Sequence, residues 1–233
     1  MGGKAKKPSR IRPKRWLLIG GVLLVALSLL FLGLRLHRWR EEQEKAKLLT
    51  LVDREHPVED DYNVEFTLLG DGQMVDSRCV DDLEAMLADC RRAGGKPQIS
   101  ASFRTWGAQE LYYEEALEAL IESGRTQAQA EAELSRRIDL PGYSEHQLGL
   151  AVDLLEEGCE LPAAEQGETF TLRWLRDNAW RYGFILRYPA DKADITGMDE
   201  RPGHFRYVGR DAAAQIRDLG LSLEEYIELF YSE

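Results

Sequence analysis

The sequence predicts an α+β body with few, short strands, joined to an N-terminal membrane-spanning helix. Three observations predict it. Residues 16–34 form an apolar run without a single charge. After it, short alternating stretches interleave irregularly with longer helical stripes, which argues against a doubly wound parallel sheet. The charge also divides sharply. Residues 1–40 hold ten Lys or Arg and no acid, whereas residues 41–233 hold 20 basic and 41 acidic side chains, a formal charge of −21 within a chain of −11 overall. A body that acidic repels phosphate backbones, so nucleic acid is excluded as an expected partner. With 44% hydrophobic residues the 233-residue chain has ample apolar surface for a core and does not have the composition of a disordered protein.

The apolar run, WLLIGGVLLVALSLLFLGL, counts nineteen residues; at about 1.5 Å per residue it nearly crosses a hydrocarbon layer of about 30 Å. Lys4, Lys6, Lys7, Arg10, Arg12, Lys14 and Arg15 precede it, and Arg35, Arg38 and Arg40 follow. The denser basic flank places residues 1–15 in the cytoplasm and the body outside the cell membrane, in a single pass. A cleaved signal peptide would have a shorter apolar segment ending at a small-x-small site. Arg35-Leu36-His37-Arg38-Trp39 offers none, so the segment reads as an uncleaved signal anchor. Residues 35–50 then form a charged, helix-prone stalk, and residues 51–233 the body.

Within the body, residues 53–62 are polar with a proline and read as an extended lead-in. Residues 63–69 alternate as a strand does and end at Gly70-Asp71-Gly72. Val80, Leu83, Met86, Leu87 and Cys90 make a helical stripe over residues 80–93, closed by Gly94-Gly95. A strand is expected over 98–103, helices over 107–122 and 126–138, and a strand over 148–155. A helix over 170–182 leads to a strand at 184–188 stopped by Pro189. A last strand at 204–208 precedes helices at 211–219 and 223–231. Cys79, Cys90 and Cys159 are too few for a disulfide scaffold, and their odd number leaves at least one thiol unpaired. Cys159 sits among Glu156, Glu157 and Glu160, neighbours that disfavour a thiolate, so neither a nucleophile nor a metal ligand is expected there.

Of four histidines, His37 and His56 lie outside the body's regular elements, which leaves His146 and His204. His146 is followed six residues later by Asp153, a loop-then-strand path that can converge, and His204 follows the turn-forming Pro202-Gly203. Two imidazoles and one carboxylate suit Zn²⁺ with an open position. Spacing alone equally allows three ordinary polar residues satisfied in loops.

Five segments change that balance: LVDREHPVEDDY (51–62), SASFRTWGAQ (100–109), PGYSEHQLGLAVDL (141–154), WLRDNAWRYGFILRYP (174–189) and ITGMDERPGHFRYVG (195–209). In that order they resemble the VanY-type D-alanyl-D-alanine carboxypeptidases, zinc peptidases grouped with lysostaphin-like enzymes, D-Ala-D-Ala dipeptidases and the hedgehog signalling domain. The resemblance implies an α+β fold whose small antiparallel sheet, flanked by helices, carries a zinc site. It implies His146, Asp153 and His204 as metal ligands and Arg104 beside the substrate carbonyl, where a guanidinium stabilises an oxyanion; an ion pair with a surface acid is the plainer role for Arg104. Gln109 is matched as a substrate contact or a packing residue, and Ser144 as a donor to the substrate carboxylate or a support for the His146 loop. The implied activity is removal of the terminal D-Ala from peptidoglycan stem peptides at the outer face of the membrane.

The sequence departs from the family at the proton acceptor. The family places Glu three residues before the last ligand, followed by Pro-Trp; here that residue is Arg201, and Gly203 stands for the Trp. Glu200, four before His204, is the expected general base, with Asp199 a more distant second. If neither serves, a catalytically impaired, metal-containing peptidoglycan-binding module results. A zinc peptidase of altered L,D- or dipeptidase specificity is a third reading.

Overall fold

The computed structural model describes residues 13–59, 62–63, 65–161 and 163–231, with the side chains of 13–22, 25, 41–42 and 163–164 outside the description. The chain divides into two units, Met1–Lys47 and Leu48–Glu233. The first is built on α1 (Pro13–Leu48). From Leu23 to Leu36 its large apolar side chains, Phe31 among them, are half or more exposed on every side of the helix. Among the described residues no helix is long and apolar enough to cross a membrane. The expected cytoplasmic tail lies largely outside the described residues, as do the side chains of 16–22 that open the expected span.

The second unit opens with a hairpin, β1 (Phe66–Leu68) and β2 (Met74–Asp76), paired antiparallel around the Gly70-Asp71-Gly72 turn. Then come α2 (Val80–Arg92), β3 (Pro97–Ala101), α3 (Trp106–Glu122), α4 (Gln127–Leu134) and β4 (Ala151–Glu156). They are followed by α5 (Phe170–Asn178), β5 (Phe184–Leu186), the single turn α6 (Ala193–Thr196), β6 (His204–Tyr207), α7 (Arg210–Leu219) and α8 (Leu223–Tyr231). The main sheet runs β3–β4–β6–β5, antiparallel throughout, which bears out the α+β class with a small antiparallel sheet.

Side chains alternate across a strand, and this sheet uses the alternation to separate core from chemistry. Val152 and Leu154 of β4 and Phe205 and Tyr207 of β6 join Leu83, Met86, Leu87 and Cys90 of α2 and Leu172 and Leu175 of α5 in the principal core. Their neighbours, Asp153 on β4 and His204 and Arg206 on β6, take the opposite face. The register pairs Asp153 directly with His204, close enough for cross-strand side chains to meet. A second cluster gathers Ile185 and Val208 with Ala212, Ala213 and Ile216 of α7 and Leu223 and Tyr226 of α8.

Three expectations are corrected. The strand expected at 148–155 starts at Ala151, because Glu145–Leu148 form a 3-10 turn closed by Gly149 at φ +72°. The helix expected to 138 stops at Leu134, and the helix expected over 170–182 yields to a 3-10 turn after Asn178. All three cysteines are free; Cys79 and Cys90 are buried, and burial pushes the Cys90 thiol up to about 11.

Gly203 explains the missing tryptophan. Its amide carbonyl accepts from the Leu154 N–H at 2.8 Å, and a Cβ added there would run into the Leu154 carbonyl oxygen. Gly203→Ala is therefore expected to destabilise the body by about 1–3 kcal/mol through backbone displacement, read as a lowered thermal midpoint.

Candidate metal centre

His146 sits in the 3-10 turn Glu145–Leu148, with no exposed surface. Its Nδ1 donates to the Ser102 carbonyl at 2.7 Å. A carbonyl only accepts, so that contact fixes the proton on Nδ1 and leaves a lone pair on Nε2. Nε2 stands 3.1 Å from Asp153 Oδ2 without hydrogen-bond geometry, and among the described residues this buried nitrogen has no hydrogen-bond partner. Burial lowers the His146 pKa to about 4 despite Asp153, so at neutral pH a lone pair faces a carboxylate oxygen, an arrangement that calls for a cation between them.

His204 completes the set. Its Nδ1 is 2.8 Å from Asp153 Oδ1 and its ring is edge-on to His146, with centroids 5.0 Å apart. The ligand atoms of His146, Asp153 and His204 all lie within 4.8 Å of one another. Burial raises the Asp153 carboxyl, but His146, Arg201 and His204 outweigh it and hold the group well below the usual range. Two imidazoles and a carboxylate, brought together from the 3-10 turn, β4 and β6, fit a tetrahedral Zn²⁺ with a position left for substrate.

Arg104, just after β3, turns onto the same carboxylate: Nη2 donates to Asp153 Oδ2 at 3.2 Å, and the guanidinium lies 4.6 Å from the Tyr112 ring centroid. Its partner acid is thus Asp153 rather than a surface residue. Gln109, buried on α3, is engaged at both ends of its amide: Oε1 accepts from Arg104 at 3.1 Å and Nε2 donates to the Asp139 carbonyl at 2.6 Å. Ser144 is fully buried, and among the described residues its hydroxyl has no hydrogen-bond partner.

The structure does not draw Glu200 into this group. Its side chain is exposed, while Arg201 turns inward, 3.4 Å from Asp153 Oδ1 and 3.6 Å from Asp139 Oδ2, with its guanidinium 5.4 Å from the Tyr188 ring. The physical reason is the backbone path: Arg201 N–H donates to the Tyr188 carbonyl and His204 N–H to the Arg201 carbonyl, so the turn presents residue 201 to the site and residue 200 to solvent. Asp199 pairs with Arg136 at 2.7 Å and is held away on the α4 side. Burial raises the Asp139 carboxyl in spite of Arg201.

Sequence reasoning missed a second layer of charge under the ligands: Glu145, Arg187 and Arg206, each with a side chain at 0% exposure. Burial raises Glu145, but Arg187 and Arg206 outweigh it and hold the carboxyl far below its ordinary value. One signal was available. Arg206 lies two residues beyond His204 on an expected strand, and so shares its face.

A profile of the VanY family, D-alanyl-D-alanine carboxypeptidase, matches residues 72–210. A D-alanyl-D-alanine carboxypeptidase of Enterococcus faecalis is 40% identical over 187 residues, spanning 80% of this chain and 67% of that protein. Among solved structures, a vancomycin-resistance D,D-pentapeptidase VanY mutant in complex with Zn(II) is 39% identical with a TM-score of 0.71, covering 78% of this chain and 99% of the other. VanYB in complex with D-alanine-D-alanine is 40% identical with a TM-score of 0.72, covering 78% and 98%. The sheet, the ligand trio on its open face and a match over most of the body agree: this chain belongs to the VanY D-alanyl-D-alanine carboxypeptidase family.

Proposed function

We propose that the chain is a zinc-dependent D,D-carboxypeptidase that removes the terminal D-Ala from peptidoglycan stem peptides at the outer face of the membrane. The observation that carries this reading is the buried Nε2 of His146, without a hydrogen-bond partner among the described residues, facing Asp153 and His204, on a fold similar to VanYB bound to D-alanine-D-alanine. Bound by these three residues, Zn²⁺ supplies Lewis acidity. Arg104 presents a fixed positive charge where the scissile carbonyl develops negative charge. Gln109 holds Arg104 in that direction, and Ser144 has a hydroxyl to offer the substrate's terminal carboxylate. Glu200 is the proposed proton acceptor and would have to turn inward over Arg201, which stays protonated at physiological pH and cannot accept a proton.

Residues 16–34 are proposed to anchor the body, with residues 1–15 in the cytoplasm. Support comes from the uncharged nineteen-residue run, its basic flanks and the apolar side chains exposed all round α1, a distribution that suits lipid better than water.

A second reading, a catalytically impaired peptidoglycan-binding module with a metal, is favoured by Arg201 standing against Asp153. Release of D-Ala from a stem pentapeptide by the full chain in detergent separates the two. Under the enzyme reading release occurs, stops on zinc chelation and returns with zinc, and Glu200→Gln slows it by about 10²–10⁴-fold. Release that survives chelation overturns the metal reading. Zinc and peptide binding without release, in wild type and Glu200→Gln alike, supports the binding module.

A further inference from the structure

From the contacts of His204 we infer that Glu145 is a positioning residue for this metal ligand, and that a four-residue charge array, buried except at its α8 end, holds Glu145 in place. The inference rests on the zinc reading and deepens it.

The two ring nitrogens of His204 face two different carboxylates. Nδ1 is 2.8 Å from Asp153 Oδ1, and Nε2 is 3.5 Å from Glu145 Oε2. Only Nδ1 points into the ligand trio. A neutral imidazole has one proton, and a metal takes the nitrogen that lacks it, so the acceptor on the far side selects the ligating atom. Glu145 supplies that acceptor: with the proton drawn to Nε2, the Nδ1 lone pair is left for the ion. His146 is treated the same way with opposite atoms, its Nδ1 proton going to the Ser102 carbonyl and its Nε2 facing inward. Residue 145 thus orients the third ligand while its chain neighbour provides the first.

Glu145 cannot drift. Its Oε1 accepts from Arg187 Nε at 2.7 Å and lies 2.9 Å from Arg206 Nη1. Arg187 forks onto Glu224, at the start of α8, at 3.0 and 2.7 Å, and its backbone N–H donates to the His204 carbonyl at 3.1 Å. Arg206 Nη2 donates to the carbonyls of Leu48 and Thr50 at 3.0 and 2.9 Å. Two guanidiniums and two carboxylates balance in charge. Without Glu145, His204 would face two buried cations with one counter-charge, and buried cations left unpaired are costly. A nearby cation would also oppose a divalent ion.

The test uses the full chain in detergent with two readouts: zinc affinity by competition with a chromophoric chelator, and ¹⁵N-histidine NMR of the zinc-loaded protein, which reports the ligating nitrogen. In the wild type, His204 is expected to hold zinc through Nδ1 and keep its proton on Nε2. Glu145→Gln is expected to weaken zinc by roughly 10–100-fold, as loss of an outer carboxylate partner does, while the His146 signals stay unchanged. Glu224→Gln, milder because Arg187 keeps Glu145, is expected to weaken zinc in the same direction by less. Ligation through Nε2 in the wild type overturns the inference. So does wild-type zinc affinity in folded Glu145→Gln or, should that variant not fold, in Glu224→Gln. A wild type that binds no zinc overturns the zinc reading itself, and the inference with it.

Discussion

Alanine in place of His146 is expected to yield a folded body that neither retains zinc nor releases D-Ala above background. The substitution removes the one ligand nitrogen whose tautomer and direction the backbone fixes, through the Ser102 carbonyl. Asp153 and His204 remain paired with each other at 2.8 Å, but two donors do not make a tetrahedral site. Zinc should therefore bind more weakly by more than the roughly 10–100-fold attached to losing an outer partner. Stability falls by about 1–3 kcal/mol, because the Ser102 carbonyl is left buried without its donor. Metal content after dialysis, thermal unfolding and pentapeptide hydrolysis read the three effects separately. Full zinc occupancy in this variant would remove His146 from the ligand set.

Arg201→Glu is expected to act in the other direction and speed D-Ala release. The guanidinium now lies 3.4 Å from Asp153, at the sequence position where the family has its acidic residue. A carboxylate there can take a proton that arginine cannot, and a positioned base is worth about 10²–10⁴-fold. Opposing this, the new acid faces Asp153 and Asp139 and removes the cation between them; a bound divalent ion offsets most of that repulsion, so the gain should appear at saturating zinc and in kcat rather than KM. A variant no faster than wild type, in a Glu200→Gln background where the other acceptor is removed, would mean that residue 201 does not occupy the acceptor's place.

Much of the fold was legible because its helices declare themselves. The stripe Leu83, Met86, Leu87 and Cys90 fixed α2 to within a residue of its observed end, and α8 was read with both bounds correct. The hairpin partner Met74–Asp76 was not, since three residues are too few to show alternation, although the Gly70-Asp71-Gly72 turn announces a reversal. At the centre, the motif supplied His146, Asp153 and His204 by type and order, but only the strand register shows that two of them stand opposite each other. The inward turn of Arg201 was illegible. Which of residues 200 and 201 faces the site depends on backbone hydrogen bonds to Tyr188 and from His204, and no local propensity reports those. Glu145, Arg187 and Arg206 escaped notice for a related reason: charged residues are almost never fully buried unless paired, and their pairing is visible only in three dimensions.

The free thiols have a consequence for how such a body matures. Burial keeps Cys79 and Cys90 protonated, and a protonated, enclosed thiol is a poor target for peroxide or disulfide exchange. The core is therefore chemically indifferent to its redox surroundings, and the half-buried Cys159 is the one thiol left within reach of them. The body should reach the same native form with reductant present or absent, needing neither an oxidase to complete it nor an isomerase to correct it.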